Sequence, residues 1–583
     1  MNKLTDKKIP FSEYPRPQLK RKSFLNLNGQ WLLNGLPITI PFPPESELSG
    51  YGKKVKIGEE LVYEKEFSLP EDFEKHRKNG GKILLNFGAV DQTASVYIDG
   101  KSAGFHEGGY LPFSFDITNL LSDKEDHLIR VEVLDNLCNI YPYGKQCAKS
   151  HGMWYTKVSG IWQTVWMECV GFSYITSIKI NPSTDRIELS ATISESITQQ
   201  EGLYLVAKIP SKNGQILEKQ FEPNQTVTFD FSNESFFKEW SPESPNLYDF
   251  TVELCNKDAV IDKIESYFAL RTIKTEVSED GYPQILLNDK PIFLNAVLDQ
   301  GYFSEGIFLP EREDKWIADI KNLQSLGFNT IRKHIKIESE VFYYYCDKYG
   351  MLVMQDMVQN GKYRFLRDTA LPSILGKTGK FKIFFSSRET SQGKMKQHRF
   401  FIEHTKNTIA HLYNHPSIIY WTIFNEGWGQ FSTNSLYDLV CSLDSSRIID
   451  SASGWFKGSL KASYKSDVES DHIYFKTPDI SKLVKECIQK RKALIISECG
   501  GYTLAVKNHC SQKKCRYGYG NCRNDDELTE KIHFLYEKMI KPHINKGLSG
   551  CVYTQLNDVE NEINGIYTYD RKVCKLNKKI VLL

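Results

Sequence analysis

The chain has 583 residues, 40% hydrophobic and 25% charged, which is the balance of a globular protein and too long for one core, since single cores stop growing near ~250–300 residues. Its 74 Lys and Arg against 72 Asp and Glu leave a formal charge of +2. A general nucleic-acid or acidic-membrane binder carries a strong basic excess, so the balance disfavours that class and neither a nucleic acid nor a membrane is expected as partner.

No apolar run approaches the ~18 residues of a spanning helix. Residues Met1–Lys22 hold seven Lys/Arg against two acids and lack the apolar core of a secretion signal, so the expected location is cytoplasmic. The thirteen cysteines agree: most stand singly in apolar runs, as Cys169, Cys441 and Cys551 do, and read as small buried hydrophobes. His509, Cys510, Cys515 and Cys522 cluster, but their spacings lack the paired C-x2-C of a zinc site and Lys513, Lys514, Arg516 and Arg523 surround them. An ordinary loop with free thiols is expected there, with no metal and no cofactor.

Residues 1–175 read as strands. Lys82–Phe87 is an apolar run, Ala94–Ile98 alternates into the turn signal Asp99-Gly100, and Leu128–Leu134 alternates again, with no convincing helical period. Gly, Pro and Asp punctuation at short spacing predicts a sandwich or jelly roll, and a jelly roll is the expectation taken for 1–175. Over 176–275 the strands continue: Ile187–Ile193 alternates strictly, followed by Leu203–Ile209, Thr226–Phe231 and Tyr248–Leu254, which suits an immunoglobulin-like β-sandwich. Trp240–Pro245 is a Pro-punctuated turn.

Over 276–583 strands alternate with helices. Strands are predicted at Pro291–Leu298, Phe328–Ile335, Met351–Met357, Ser417–Phe424, Arg447–Ser451, Asp471–Phe475, Ala493–Ser497 and Leu548–Gln555, with helices near 313–326, 338–348 and 397–413. Eight such strands over roughly 300 residues are the pattern of a (β/α)8 TIM barrel; a doubly wound sheet is the structural rival but rarely needs eight. No G-x-G-x-x-G follows a strand, so nucleotide binding has no support.

In such barrels chemistry sits at the carboxyl ends of the strands. Ser417–Gln430 reads SIIYWTIFNEGWGQ, an apolar strand closing on Asn425-Glu426; Asn-Glu recurs at 233–234 and 561–562, but in polar or acidic loops. Ala493–Gly501 reads ALIISECGG, a second strand ending in a carboxylate, Glu498, before two glycines that permit a tight turn. Either acid alone also fits a salt bridge or a helix N-terminus. Together, ending strands four and seven, they face one another across a barrel mouth, as glycoside hydrolysis requires of its two carboxylates.

Here the sequence resembles the family 2 glycoside hydrolases, which include β-galactosidases, β-glucuronidases and β-mannosidases. Phe24–Trp31 is similar to the family's opening LNG-x-W strand, Phe87–Gly109 to its sugar-binding jelly roll and Val158–Gln163 to its GIW segment. Asn329–Arg332 resembles the second barrel strand, NEGWGQ the acid/base motif and SECGG the nucleophile motif. The resemblance implies a retaining double displacement with Glu498 as nucleophile and Glu426 as acid/base. It implies that Asn425 binds the sugar 2-hydroxyl, Arg332 keeps the nucleophile ionised and Tyr474 orients it. His334 and Asp299 are looser carry-overs to the substrate site, because His334 stands two rather than three residues after the arginine. Asp356 and His472 either line the pocket or support it, and Trp428 either walls the pocket or stacks on sugar.

Three departures bear on specificity. Cys499 stands where an aromatic often follows the nucleophile. No Asn-x-Lys, the carboxylate-reading pair of β-glucuronidases, lies between Glu498 and the eighth strand. Nothing after the predicted eighth strand reads as the extra C-terminal sandwiches of large β-galactosidases, so a barrel without them is expected. The expected activity is an exo-β-glycosidase on an oligosaccharide or glycoside, β-galactosidase first, with β-glucuronide, β-mannoside or arabinoside as alternatives. A non-catalytic carbohydrate-binding protein is the rival of another class, and a homo-oligomer is compatible with either.

Overall fold

The computed structural model describes residues 9–194, 202–212, 214–257, 259–364, 368, 392–454, 464–474, 480–511 and 517–577. Its N-terminal part is two antiparallel sheets packed face to face. A six-stranded sheet runs in the order Leu36–Ile40, Gly29–Leu33, Glu60–Ser68, Asp126–Leu134, Thr93–Ile98, Lys101–Glu107, and faces a four-stranded sheet that contains Lys82–Phe87 and Val165–Val170. Alternation builds the interface: along Asp126–Leu134, His127, Ile129, Val131 and Val133 point inward and are buried. Asp99 and Gly100 both take positive φ, 49° and 78°, as a two-residue hairpin between Thr93–Ile98 and Lys101–Glu107 needs.

One element departs from the all-β expectation here. Glu71–Lys78 is a helix, with acids in its first turn, bases in its last and only Phe73 buried. Those charges complement the helix dipole, and a single buried residue leaves no apolar period to read in the sequence.

The middle part is a second sandwich. One sheet holds Ile175–Pro182, Arg186–Ile193 and Thr226–Asp230; the other holds Ile216–Phe221, Leu203–Pro210, Tyr248–Asn256 and Ala259–Phe268. Arg21, on the segment preceding both sandwiches, reaches Glu168 of the first at 3.0 Å and Asp262 of the second at 2.9 Å, all three buried. This buried, fully paired cation ties the sandwiches together.

Trp240 lies between the second sandwich and the barrel. It is fully buried, its indole N–H donates to the Asp347 carbonyl at 2.7 Å, and its own carbonyl accepts from Asn288 at 3.0 Å. Trp240→Ala is expected to cost about 3–5 kcal/mol, since it opens a cavity and orphans a carbonyl. Urea unfolding measures it, and a loss under about 1 kcal/mol would contradict this account of the junction.

The barrel's parallel strands run in the spatial order five, four, three, two, one, eight, seven, six: Ile448–Asp450, Ile418–Thr422, Leu352–Asp356, Thr330–Lys333, Leu294–Asp299, Leu548–Thr554, Ala493–Gly500 and Val468–Ile473. The sheet is nearly closed, with strands five and six at its two ends. Strand six lies earlier than the Asp471–Phe475 expected; its polar Glu469 and Ser470 hide it from an apolar-run reading, whereas pairing of Val468 with Ala493 defines it. Phe475 lies outside the described residues. The helices Asp314–Ser325, Glu340–Tyr349 and Gln392–Leu412 lie on the outside, and among the described residues no helix is long and apolar enough to cross a membrane.

A three-stranded sheet of Ile273–Val277, Pro283–Leu287 and Lys290–Pro291 plugs the amino-terminal end of the barrel, with Ile273, Ile285 and Leu287 packed on Leu294, Leu352, Ile495 and Val552. Only the carboxyl end remains for ligand. There the N-terminal sandwich docks: Tyr143 and Gly144 N–H donate to the Gln359 carbonyl at 3.1 and 3.2 Å, and Asn360 Nδ2 donates to the Ile140 carbonyl at 2.8 Å.

Candidate active site

Strand seven would, by simple alternation, direct Glu498 away from the barrel axis, because Ala493 and Ile495 face the interior and Leu494 and Ile496 the helices. A bulge reverses this. Ile496 pairs with Cys551 and Cys499 with Tyr553, so Ser497 and Glu498 together oppose Val552. The extra residue re-aims the following side chain, and Glu498 lines the pocket. Gly500 and Gly501 then turn the chain at φ 77° and 70°, where a Cβ on Gly500 would lie 2.4 Å from the Tyr553 ring.

Beyond strand four, Glu426 takes φ 51° and is pinned by its N–H on the Ser453 carbonyl at 2.7 Å. A glutamate held in the left-handed region costs roughly 1–3 kcal/mol and persists because the surroundings hold it. Gly454, φ 90°, leaves room for the His472 ring, which a Cβ there would approach to 2.8 Å.

Three groups converge. His472 Nδ1 lies 3.1 Å from Glu426 Oε1 and 3.5 Å from Glu498 Oε2, and donor atoms of all three residues lie within 4.8 Å of one another. Tyr474 donates to Glu498 Oε2 at 2.5 Å and meets Thr554 Oγ1 at 3.0 Å. Arg332, fully buried, donates to Ser497 O at 2.9 Å, Glu498 Oε1 at 3.3 Å and Asn425 Oδ1 at 2.8 Å, with Asp356 at 2.9 Å behind it. His334 Nδ1 meets the same Asp356 at 2.5 Å.

Burial alone would raise the Glu498 carboxyl, but the neighbouring His472 and Arg332 charges outweigh it and hold it at about 2. Burial lowers the His472 ring, yet Glu498 and Glu426 prevail and raise it. Burial lowers His334 to about 4, so it sits neutral beside Asp356. Glu426, His472 and Glu498 have donor spacing that fits an ion, but Nδ1 of His472 already lies between the carboxylates and the Arg332 guanidinium pairs with Glu498.

The depressed Glu498 pKa carries a pH prediction. Ionised Glu498 stabilises the fold fully above its ordinary value near 4.5, and that contribution fades as pH falls toward its folded value of about 2. The unfolding free-energy gap between wild type and Glu498→Gln, measured in urea, is therefore expected to shift against the wild type from about pH 5 to about pH 2. A gap independent of pH in that window would refute it.

Of the residues singled out in the sequence, Asn425, Glu426, Trp428, Tyr474 and Glu498 line the pocket. Arg332, His334, Asp356 and His472 are buried beneath or between them and act through the carboxylates and Asn425. Asp299 is the correction. Expected to touch substrate, it faces outward and pairs with Lys333 Nζ at 2.5 Å, because on strand one Leu298 and Gln300 take the inward positions. Trp428 packs against Tyr143, Trp154 and Tyr363 at 5.6, 5.2 and 6.0 Å and donates to Gly361 O, so it walls the pocket.

Lys145, Met153, Trp154, Gln300, Tyr363, Tyr519, Thr554 and Glu562 also line the pocket and were not read from the sequence. Period-two alternation past Leu298 could have found Gln300; nothing local marks Lys145 or Trp154, which come from the N-terminal sandwich. In the 509–522 cluster His509 pairs with Asp570 at 2.9 Å and Cys510 Sγ meets Val506 O at 3.4 Å, whereas Cys515 lies outside the described residues.

A barrel with two acids converging at its mouth, roofed by a β-sandwich, is the architecture of a glycoside hydrolase. Three family descriptions match along the chain: "Glycosyl hydrolases family 2, sugar binding domain" over residues 52–168, "Glycosyl hydrolases family 2" over 173–271 and "Glycosyl hydrolases family 2, TIM barrel domain" over 279–544. The chain belongs to glycoside hydrolase family 2.

It is similar to the β-galactosidase of Thermoanaerobacter pseudethanolicus, 27% identical over 51% of this chain and 39% of that protein. It is similar also to a β-glucuronidase of Formosa agariphila, 23% identical over 70% of this chain and 39% of that protein. The chain thus spans well under two thirds of the length of the curated relatives it matches. Among solved structures, the β-D-glucuronidase of Dictyoglomus thermophilum superposes with a TM-score of 0.72 at 19% identity, covering 97% of both chains. At that identity the likeness shows the fold.

Proposed function

We infer that this glycosidase is an exo-acting enzyme that hydrolyses terminal β-linked sugars with retention of configuration. The observation that carries this reading is the spacing of the acids: carboxylate oxygens of Glu426 and Glu498 lie within 4.8 Å of one another. Retaining pairs stand about 5–5.5 Å apart, whereas inverting pairs leave about 6.5–9.5 Å for a water.

In the first step Glu498 attacks the anomeric carbon while Glu426 gives its proton to the glycosidic oxygen, so the C1–O bond breaks as an ester to Glu498 forms. In the second, Glu426 takes a proton from water, the water oxygen bonds to C1 and the ester to Glu498 breaks. Tyr474 and Arg332 hold the attacking carboxylate ionised and aimed, and Asn425, itself fixed by Arg332, is placed for the 2-hydroxyl. The aromatic wall of Trp154, Tyr363 and Trp428 supports cleavage at a chain end. The relatives' names support a β-galactoside and a β-glucuronide about equally.

Proton NMR of an aryl β-glycoside digest is expected to show the β-anomer first, with the α-anomer growing only by mutarotation. First appearance of the α-anomer would overturn retention. A 2-deoxy-2-fluoro glycosyl inhibitor is expected to leave its mass on the peptide that contains Glu498.

A further inference from the structure

The pocket contains donors that the reaction above does not use. Lys145 lies on the segment that joins the N-terminal sandwich to the barrel mouth, and its backbone is clamped on both sides. Before it, Tyr143 and Gly144 N–H both bond Gln359 O, and Gly144 passes so close to the barrel that a Cβ would lie 2.8 Å from Ile335 O. After it, Gln146 Nε2 donates to Asp91 Oδ2 at 2.7 Å and Gln146 Oε1 accepts from Val158 N–H at 2.7 Å. The side chain is half-buried and lines the same pocket as Glu426 and Glu498.

Among the described residues no carboxylate lies within 4.0 Å of the Lys145 ammonium. Glu562, which shares the pocket, accepts from Asn564 Nδ2 at 2.9 Å on one oxygen and from the Tyr155 hydroxyl on the other. Lys145 lines the pocket together with Glu498 at the end of strand seven and Glu562 beyond strand eight. Gln300, beside them at the end of strand one, is 3% exposed, and its Nε2 has no acceptor among the described residues.

A buried amide donor without a protein acceptor and a half-buried ammonium without a paired carboxylate favour a ligand that supplies acceptors to both. A neutral hydroxymethyl offers one oxygen and no charge. A carboxylate offers two oxygens and a charge opposite to that of the ammonium, and charge-assisted bonds to it are about twice as strong as neutral ones.

We propose that Lys145 and Gln300 form a carboxylate-reading corner of the sugar pocket, which makes the preferred substrate a β-linked uronic acid. This rests on the glycosidase reading above and goes beyond it by naming the substrate class and the two residues that select it. One of the two comes from the N-terminal sandwich, so specificity is divided between domains.

The test uses the full chain with nitrophenyl β-D-glucuronide, β-D-galacturonide and β-D-galactoside. One uronide is expected to exceed the galactoside in kcat/KM by on the order of 100-fold, the scale of charge-assisted bonds. Lys145→Gln is expected to collapse that ratio by a similar factor, mainly through the uronide KM, and Lys145→Arg to restore part of it. Gln300→Leu is expected to reduce the ratio by on the order of 10-fold. Raising the salt concentration is expected to raise KM for the uronide more than for the galactoside, because the attraction is screened.

A wild-type preference for the galactoside, or equal losses on all three substrates in Lys145→Gln, would overturn the proposal. The two readings fail differently. Galactoside hydrolysis that depends on Glu498 without uronide preference removes only this proposal, whereas no hydrolysis of any substrate removes the glycosidase reading with it.

Discussion

Replacing Glu498 by alanine is expected to lower kcat on aryl β-glycosides by on the order of 10⁵-fold, the scale seen when a covalent nucleophile is removed. The size follows from how completely the site is organised around this carboxylate. Tyr474 and Arg332 each bond one of its oxygens, His472 stands 3.5 Å away, and the neighbouring charges hold it ionised down to about pH 2. None of these groups offers a substitute nucleophile. Azide fills the vacated space and reaches the anomeric carbon from the same face, so rescue of Glu498→Ala is expected to yield the α-glycosyl azide. In Glu426→Ala the nucleophile is intact and azide attacks the glycosyl-enzyme, so the product is the β-glycosyl azide. The reverse pairing of anomers would exchange the assigned roles, identical anomers would abolish them, and near-wild-type turnover in Glu498→Ala would end the assignment.

Arg332→Met is expected to destabilise the protein by about 3–5 kcal/mol and to lower kcat together with it, because removing one partner of a buried ion pair strands the other charges. Arg332 is fully buried between Asp356 and Glu498. Its third and fourth contacts, Ser497 O and Asn425 Oδ1, hold the bulge and the residue beside Glu426. His334 does not compensate, since its ring is neutral. Arg332→Lys is expected to recover little activity, because an ammonium cannot span four acceptors in the guanidinium plane. Urea unfolding reads the stability loss and an aryl glycoside reads the rate. A loss under about 1 kcal/mol would show that Asp356 and Glu498 find other partners.

Much of this architecture was legible locally. Strict alternation and the Asp99-Gly100 turn mark the sandwiches, because a half-buried strand imposes period two within a few residues. Buried parallel strands show as apolar runs, so seven of the barrel's strands could be placed, and NEGWGQ and SECGG stood out as polar groups closing such runs. Strand six was displaced because Glu469 and Ser470 interrupt its run. The helix Glu71–Lys78 was missed because it buries only Phe73.

The sequence by itself therefore determined the class of barrel and marked Glu426 and Glu498 as the acids that close its apolar strands, both of which depend on residue type and short spacing. The tertiary structure alone decided which way those side chains point and what else meets them. Whether Glu498 faces the pocket depends on a bulge at Ser497, visible only when strand seven is paired with strand eight. Gln300 rather than Asp299 enters the pocket because register, not residue type, assigns the inward face. Lys145 and Trp154 reach the barrel mouth from a separate domain, more than 270 residues before Glu426 in the chain. Contacts of that separation are set by how folded units dock, and no local pattern in the sequence encodes them.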